Sequence, residues 1–328
     1  MKKIKKYYII YVYVIEKEVS TTEKKYLFIV NPAAGKKDRS AMLHALIEKE
    51  MAELGITEYD IHTTTNAGDA TEFTRRYLEN NNDRSVNVYS CGGDGTLNET
   101  VNGVFGFENA AVGVIPVGSG NDFIRSFPGY EEKDFLSLKR MILGETKTID
   151  AIKSCGRVSI NIMSVGFDAA TTKGMAKYKK LPLVSGSLAY DLSLVKCLFT
   201  SRRNRYSYEI DGIPVPEKEG DYLFTIMANG KWYGGGFNAA PNAEFDDGNI
   251  ELITIKTVSI PTLMKLVGLF RRGEHMGWKD LVYSTKCRSV KIITKDKIDL
   301  NFDGEIIEVK DPLVEIAPSS VKIILPKK

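Results

Sequence analysis

Three apolar runs of this chain end in glycine-rich turns: Asn31-Pro32-Ala33-Ala34-Gly35-Lys36, Gly92-Gly93-Asp94-Gly95-Thr96, and the stretch Gly113 to Asp122, GVIPVGSGND. Glycine lets backbone amides approach an anion closely, and a helix that follows such a turn adds the positive end of its dipole. The chemistry this suits is the binding of phosphate. Neither GxxxxGK[ST] nor a GxGxxG directly after the first strand is present, so the turns are neither a Walker loop nor a dinucleotide fingerprint. Two of them carry a carboxylate, Asp94 and Asp122, which would repel phosphate unless a cation lay between. Magnesium bridging carboxylate and phosphate resolves that conflict.

Two further acidic turns stand in the second half. Asp303 lies in Asn301-Phe302-Asp303-Gly304-Glu305, and Glu305, two residues on, faces the same side of an extended chain. Residues 238–251, NAAPNAEFDDGNIE, hold Asp246 and Asp247 before a glycine. On residue type alone each is either a tight Asp-Gly turn or a placed carboxylate. Other chemistries are excluded. The four cysteines, at 91, 155, 197 and 287, form no CxxC pair, and His44, His62 and His275 form no HExxH, so structural zinc and a histidine triad have no ligands at the right spacing. Cys91 reads as a small buried residue beside a turn, and the thiols as reduced.

The turns need a scaffold, and the hydropathy pattern supplies one. From Tyr26 onward a buried run (YLFIV), a turn, and an amphipathic stretch over 41–54 are followed by a strand near 59–63, a helix near 69–80, the strand SVNVYS, a helix after Gly95 and the strand AVGVIPVG. This alternation predicts parallel βαβ units in a doubly wound sheet. After about residue 150 the pattern changes to short alternating runs (RVSINIMSV, YSYEID, DYLFTIMAN, NIELITI, SVKIIT, EIIEVK, VKIILP) with turn signals such as Asp211-Gly212, which predicts a largely antiparallel β domain. Helical stretches interrupt it near 187–200 and 261–272. With 328 residues, 43% of them apolar, the chain suits two domains. We read an α/β domain over 25–148, to which a last strand over about 313–328 returns, and an antiparallel β domain over 149–312. Residues 1–24 imitate a secretory signal, but four tyrosines, an acidic sequel and no small-x-small site make them an extension of another kind.

Taken together, VNPAAGK, CGGDGTLNETVNG, GVIPVGSGNDF and NFDGE resemble, in order and spacing, the bacterial soluble diacylglycerol kinases and the wider diacylglycerol and sphingosine lipid kinase family. The resemblance spans residues 26–328. It implies that the first domain is an ATP-binding α/β domain and the second a β-sandwich lipid-substrate domain, with phosphoryl transfer from ATP to a lipid hydroxyl between them and diacylglycerol the leading acceptor. It further implies that Asn31, Gly35, Thr64, Gly92, Gly93, Asp94, Gly95, Thr96 and Asp122 bind the nucleotide. Asp94 would serve the catalytic magnesium, while Asp303 acts as base with Glu305 beside it. A structural magnesium would sit on the Asp247 side chain and the carbonyls of Glu244 and Asn249, with Asp246 as the rival ligand. The chain departs from the family's usual Ser-Gly in the first turn, having Ala34-Gly35, and has Ser119 where GTGND is commoner.

Between Lys173 and Arg205 eight basic residues face one acidic residue, a local +7 in a chain of net +3. Leu181, Leu183 and Val184 lie among them, a pattern that fits an anionic membrane surface as well as a solvated helix face. The expected partners are therefore ATP, a lipid acceptor and the inner face of the membrane, approached peripherally from the cytoplasm. Homodimerisation is left open and nucleic acid excluded. The competing readings are an NAD kinase, which shares GGDGT, and a nucleotide-sensing, membrane-docking protein without turnover.

Overall fold

The computed structural model describes residues 24–35, 37–166, 203–215 and 220–328. The expected helix over 187–200 and the basic residues Lys173 to Arg202 lie outside the described residues.

The first half alternates as expected: β1 (Lys25–Val30), α1 (Ser40–Glu53), β2 (Tyr59–Thr63), α2 (Asp69–Glu79), β3 (Val86–Gly92), α3 (Asp94–Val104) and β4 (Ala110–Pro116). β1 pairs in parallel with β2 and β3, and β3 with β4, giving the order β2-β1-β3-β4. β3 and β4 are buried at every position, which is why their sequences run apolar without alternating: helices cover both faces of a parallel sheet. All four carboxyl ends therefore lie along one edge, where the turns after β1, β3 and β4 gather. Two short helices, α4 (Glu132–Leu136) and α5 (Leu138–Ile142), lead to β5 (Glu145–Ser154).

The second half is antiparallel throughout its own pairings. It comprises β6 (Arg157–Ser159), β7 (Ile162–Gly166), β8 (Asn204–Ile210), β9 (Ile213–Pro214), β10 (Gly220–Ala228), β11 (Trp232–Tyr233), β12 (Phe237–Asn238), β13 (Ile250–Lys256), β14 (Val282–Cys287), β15 (Ser289–Ile293), β16 (Ile298–Phe302), β17 (Glu305–Val309) and β18 (Leu313–Leu325). The helix α6 (Ile260–Arg272) stands between β13 and β14. Its ends follow from composition: Ser259 caps the first turn by accepting from the Thr262 amide, Pro261 occupies that turn, and Gly273 closes the last at φ +76°. Leu263, Leu266 and Phe270 pack inward from it.

Two departures from the sequence reading bear on the site. RVSINIMSV is two strands, β6 and β7, because the Ile162 amide turns away to the Asp303 carboxylate and the Asn161 carbonyl accepts from the amides of Asn229 and Gly230. β18 extends well beyond VKIILP. It runs antiparallel to β5 along most of its length, and its Ile323 and Ile324 lie parallel to Val112 and Gly113 of β4. Asp150, on β5, fastens this join: its two carboxylate oxygens accept from the Ser319 amide in the β18 bulge and from the Gly248 amide, each at 2.7 Å.

Candidate active site

The three glycine-rich turns meet backbone to backbone. The amides of Val117 and Gly118 donate to the Gly92 carbonyl at 3.0 and 3.2 Å, and the Asn31 amide donates to the Cys91 carbonyl at 3.1 Å. A Cβ on Gly118 would lie 2.4 Å from the Gly93 Cα, and one on Gly92 only 2.3 Å from the Thr96 Oγ1. Any side chain there would force the turns apart, so the glycines follow from contact as much as from ligand approach. Gly35, at φ +81°, brings the first turn against the Val117 carbonyl. Asn31 then joins the turns through side chains, its Nδ2 donating to Thr96 Oγ1 at 2.8 Å while its Oδ1 accepts from the Ala33 amide at 2.9 Å. Thr64 is on the same edge, its amide donating to the Val30 carbonyl at 2.9 Å. α3 begins at Asp94, so the amides of Asp94, Gly95 and Thr96 belong to a first turn with no intrahelical acceptors, a ready anion site.

Facing that turn are two buried carboxylates. Asp94 Oδ1 accepts from the amides of Asp122 and Phe123 at 2.9 and 3.3 Å. Asp122 Oδ2 accepts from the Gly235 amide at 2.6 Å, and its Oδ1 lies 3.3 Å from Arg125 Nε. Burial raises the pKa of both groups, and for Asp122 the Asp94 charge adds to the rise. Gly120 separates them: a Cβ there would stand 2.8 Å from Asp94 Oδ2 and 3.8 Å from Asp122 Oδ2. Two like charges held this close without an equal positive charge fit a magnesium ion that takes its remaining ligands from phosphate and water. Among the described residues no group of three or more His, Cys, Asp or Glu side chains stands together as a metal cage, and magnesium shared with phosphates needs none. Cys91, buried at the end of β3, is free, and burial pushes its thiol up to about 12, which makes it unreactive.

Asp303 reaches this edge from the other half of the chain. It stands at φ +48° in the β16–β17 turn, a backbone conformation that aspartate tolerates better than most side chains. Its Oδ1 accepts from the Ile162 amide at 2.7 Å, its Oδ2 from Asn98 Nδ2 at 3.0 Å. Asn98 belongs to α3, one helical turn beyond Asp94, so a single helix carries the phosphate turn at its start and touches Asp303 farther along. Burial is the main reason that the Asp303 pKa is raised to about 6; Asp94 adds to it, while the Ser159 hydroxyl, the Ile162 amide and Asn98 oppose it. Glu305 is half-buried and paired with Arg157 at 3.0 Å, and burial with the nearby Glu99 raises its pKa.

The Asp247 turn has a different character. Asp247 Oδ2 accepts from Lys286 Nζ at 2.5 Å and its Oδ1 from the Asn249 amide at 2.9 Å, while Glu244 lies 3.7 Å from the same ammonium. Asp246 is paired with Lys147 at 2.9 Å. The Lys286 ammonium thus stands where the magnesium expected on Asp247, Glu244 and Asn249 would have to bind, one positive charge against two carboxylates, and an ion there would have to displace it.

Several contributors escaped the sequence reading. Asn98 stands inside the very motif that identifies Asp94, and the i, i+4 spacing placed it on the same helix face. Gly235 belongs to a run of three glycines, Gly234 to Gly236, all at positive φ, which marked a turn without saying which acid it would serve.

Two family models match the two halves of the chain. The diacylglycerol kinase catalytic domain family matches residues 25–154, and the YegS C-terminal NAD kinase beta sandwich-like domain family matches residues 161–325. A diacylglycerol kinase of Bacillus subtilis (strain 168) is 31% identical over 284 residues, covering 86% of this chain and 90% of that protein. One from Staphylococcus carnosus (strain TM300) is 30% identical with coverages of 86% and 89%. Among solved structures, one from Bacillus anthracis str. Sterne superposes with a TM-score of 0.71 at 23% identity, over 94% of this chain and 98% of that one. A second, of a diacylglycerol kinase from the same strain, gives 0.64 at 21%, over 92% and 96%. At these identities the structures speak for the fold.

Proposed function

The chain belongs to the diacylglycerol kinase family and is an ATP-dependent lipid kinase, and from that premise we propose that its acceptor is diacylglycerol, converted to phosphatidic acid, with Asp303 as the base. The observation that carries the reading is the contact between Asp303 and α3: the helix whose first turn suits phosphate also touches the carboxylate that would take the acceptor's proton. The turns hold the triphosphate through the backbone amides of Gly92 to Thr96, with Asn31 and Thr64 beside them. Asp94, supported by Asp122, would hold magnesium, which when bound neutralises charge on the transferred phosphoryl group. Asp303, its pKa raised to about 6, is ionised at neutral pH yet basic enough to receive a proton from the attacking hydroxyl. Glu305 and Arg157 flank the acceptor side. The curated relatives named diacylglycerol kinase support diacylglycerol as the acceptor.

No helix among the described residues is long and apolar enough to cross a membrane. Peripheral attachment is therefore the proposed mode, carried by the +7 segment between Lys173 and Arg205 on the cytoplasmic, anionic face. The test is one assay: purified protein, labelled ATP and a panel of dispersed lipids, with NAD as a control. Labelled phosphatidic acid is the expected product. A labelled sphingoid or polyprenol product would replace the acceptor, and labelled NAD alone would overturn the reading.

A further inference from the structure

Asn98 and Asn102, one turn apart on α3, form a polar seam between the two halves of the chain. Asn98 Nδ2 donates to Asp303 Oδ2 at 3.0 Å and to the Val158 carbonyl at 3.2 Å. Asn102 makes more bonds but none to Asp303: its Nδ2 donates to the Val158 carbonyl at 2.9 Å and to the Asn98 carbonyl and Oδ1 at 2.9 and 3.2 Å, and its Oδ1 accepts from the Val158 amide at 3.0 Å. The Asn98 amide is therefore oriented by its neighbour. With its oxygen accepting from Asn102, its nitrogen must face Asp303. Asn98 is 4% exposed, so water does not readily replace it as the donor.

We propose that Asn98 is a positioning residue for the phosphoryl transfer, acting through Asp303. It fixes which lone pairs of Asp303 remain free for the acceptor's proton, and it ties the carboxylate to the helix that carries the phosphate turn. Asp303 Oδ1 is engaged by the Ile162 amide and Oδ2 by Asn98, so the lone pairs left over point in directions set by these two donors. Since Asp94 begins the same helix, the distance from base to phosphate site is a property of α3 and not of a hinge between the two halves. Misplacement of a base by a fraction of an ångström is costly because transfer requires near-attack geometry. The inference rests on Asp303 being the base, and the experiment separates the two.

Asn98→Ser removes the donor to Asp303 Oδ2 without placing a second carboxylate 3.0 Å from it, as Asn98→Asp would. A charge-assisted hydrogen bond of this kind is worth on the order of a tenfold to a hundredfold effect. The expected result is a fall of that size in kcat with KM for MgATP changed less than about twofold. In an Asp303→Asn background the same substitution should have no further effect, because the group it acts through is gone. Asn102→Ala, which breaks more of the seam and loosens the orientation of Asn98 but leaves its donor to Asp303 in place, should lower kcat by less than Asn98→Ser, and Asn98→Ala gives the same reading if Asn98→Ser does not fold. An equal loss of kcat in Asn102→Ala, or additive losses in the double variant, would overturn the proposal. So would an unchanged kcat in Asn98→Ser or Asn98→Ala while Asp303→Asn is inactive. If Asp303→Asn itself keeps more than about half of the activity, it is the base assignment that fails.

Discussion

Two acidic turns in this chain share the same letters, aspartate followed by glycine, and differ in what meets the aspartate. At Asp94 the carboxylate is buried, satisfied by backbone amides, and faced by a second buried aspartate. At Asp247 it meets Lys286, and its neighbour Asp246 meets Lys147. Backbone amides orient a carboxylate without cancelling its charge, whereas an ammonium cancels it. The Asp94 carboxylate thus keeps its charge, Arg125 reaching Asp122 instead, for a divalent cation and phosphates to complete, whereas at the second turn an ammonium already stands against the aspartate. Asp303 stands with the first: its donors are an amide, an asparagine and a serine, and no cation among the described residues pairs with it. What distinguishes a site from a turn here is the partner, which lies far away in sequence.

The sharpest way to break the comparison is at Asp303. Asp303→Asn should lower turnover by about 10²- to 10⁴-fold, the usual cost of losing a general base, with MgATP binding nearly unchanged. Titration supplies the companion measurement. The Asp303 pKa is raised from 3.8 to about 6, and the base works only when ionised, so kcat/KM should be flat above about pH 6 and fall tenfold per unit below it. Linkage runs the other way for stability. A carboxyl whose folded pKa lies above its unfolded value stabilises the fold fully below about 3.8, and that contribution is lost as pH rises through about 6. Activity and stability therefore pull against each other at this residue, and a kcat/KM profile with no acid limb near pH 6 would remove Asp303 from the mechanism.

How much of this was legible in the sequence depends on whether the relevant partner was local. The alternation of strand and helix up to β4, and the gathering of three glycine turns at one sheet edge, follow from hydropathy period and topology. Asp94 and Asp122 could be singled out because a carboxylate in a phosphate-type turn is an anomaly visible in the turn itself. Asp303 could not be told from a hairpin turn by its own residues. Its environment comes from Asn98, 205 positions away, and from Ile162, 141 positions away. The Asp247 turn depends on a distant partner in the same way, since Lys286, 39 positions on, lies on β14 directly across from β13 in the ladder that pairs Glu251 with Lys286.

A second break is aimed at the open charge. Asp94→Ala should weaken productive MgATP use, because it removes the carboxylate that makes magnesium welcome at that edge. Loss of groups that only support a metal ligand typically costs about 10- to 100-fold in metal affinity, and loss of a direct ligand should cost at least as much. Part of that loss should be recovered by excess magnesium, because the ion keeps phosphate and water ligands. The measurement is turnover against magnesium concentration at fixed ATP. A curve that superposes on the wild type's would sink the assignment of Asp94 as the metal ligand.

The smallest effect is the one that sharpens the comparison most, because it converts the closed turn into an open one. Lys286→Met keeps the length and apolar body of the side chain but withdraws the ammonium from Asp247 and Glu244. The Lys286 side chain is 40% exposed and that of Asp247 17%, so screening keeps the pair's worth to about 1 kcal/mol or less. The wild type should melt at the same temperature with and without a chelator, since Lys286 supplies the charge at this turn. The variant should melt slightly lower in chelator and regain the difference in millimolar magnesium, because the Asp247 carboxylate and the neighbouring carbonyls are then free to take an ion, which stabilises whichever state binds it. Turnover is a separate axis, as the turn lies away from Asp303. If the wild type itself loses stability on chelation, at a magnesium concentration too low to support MgATP binding, then a metal and not Lys286 balances Asp247, and the contrast between the two turns disappears.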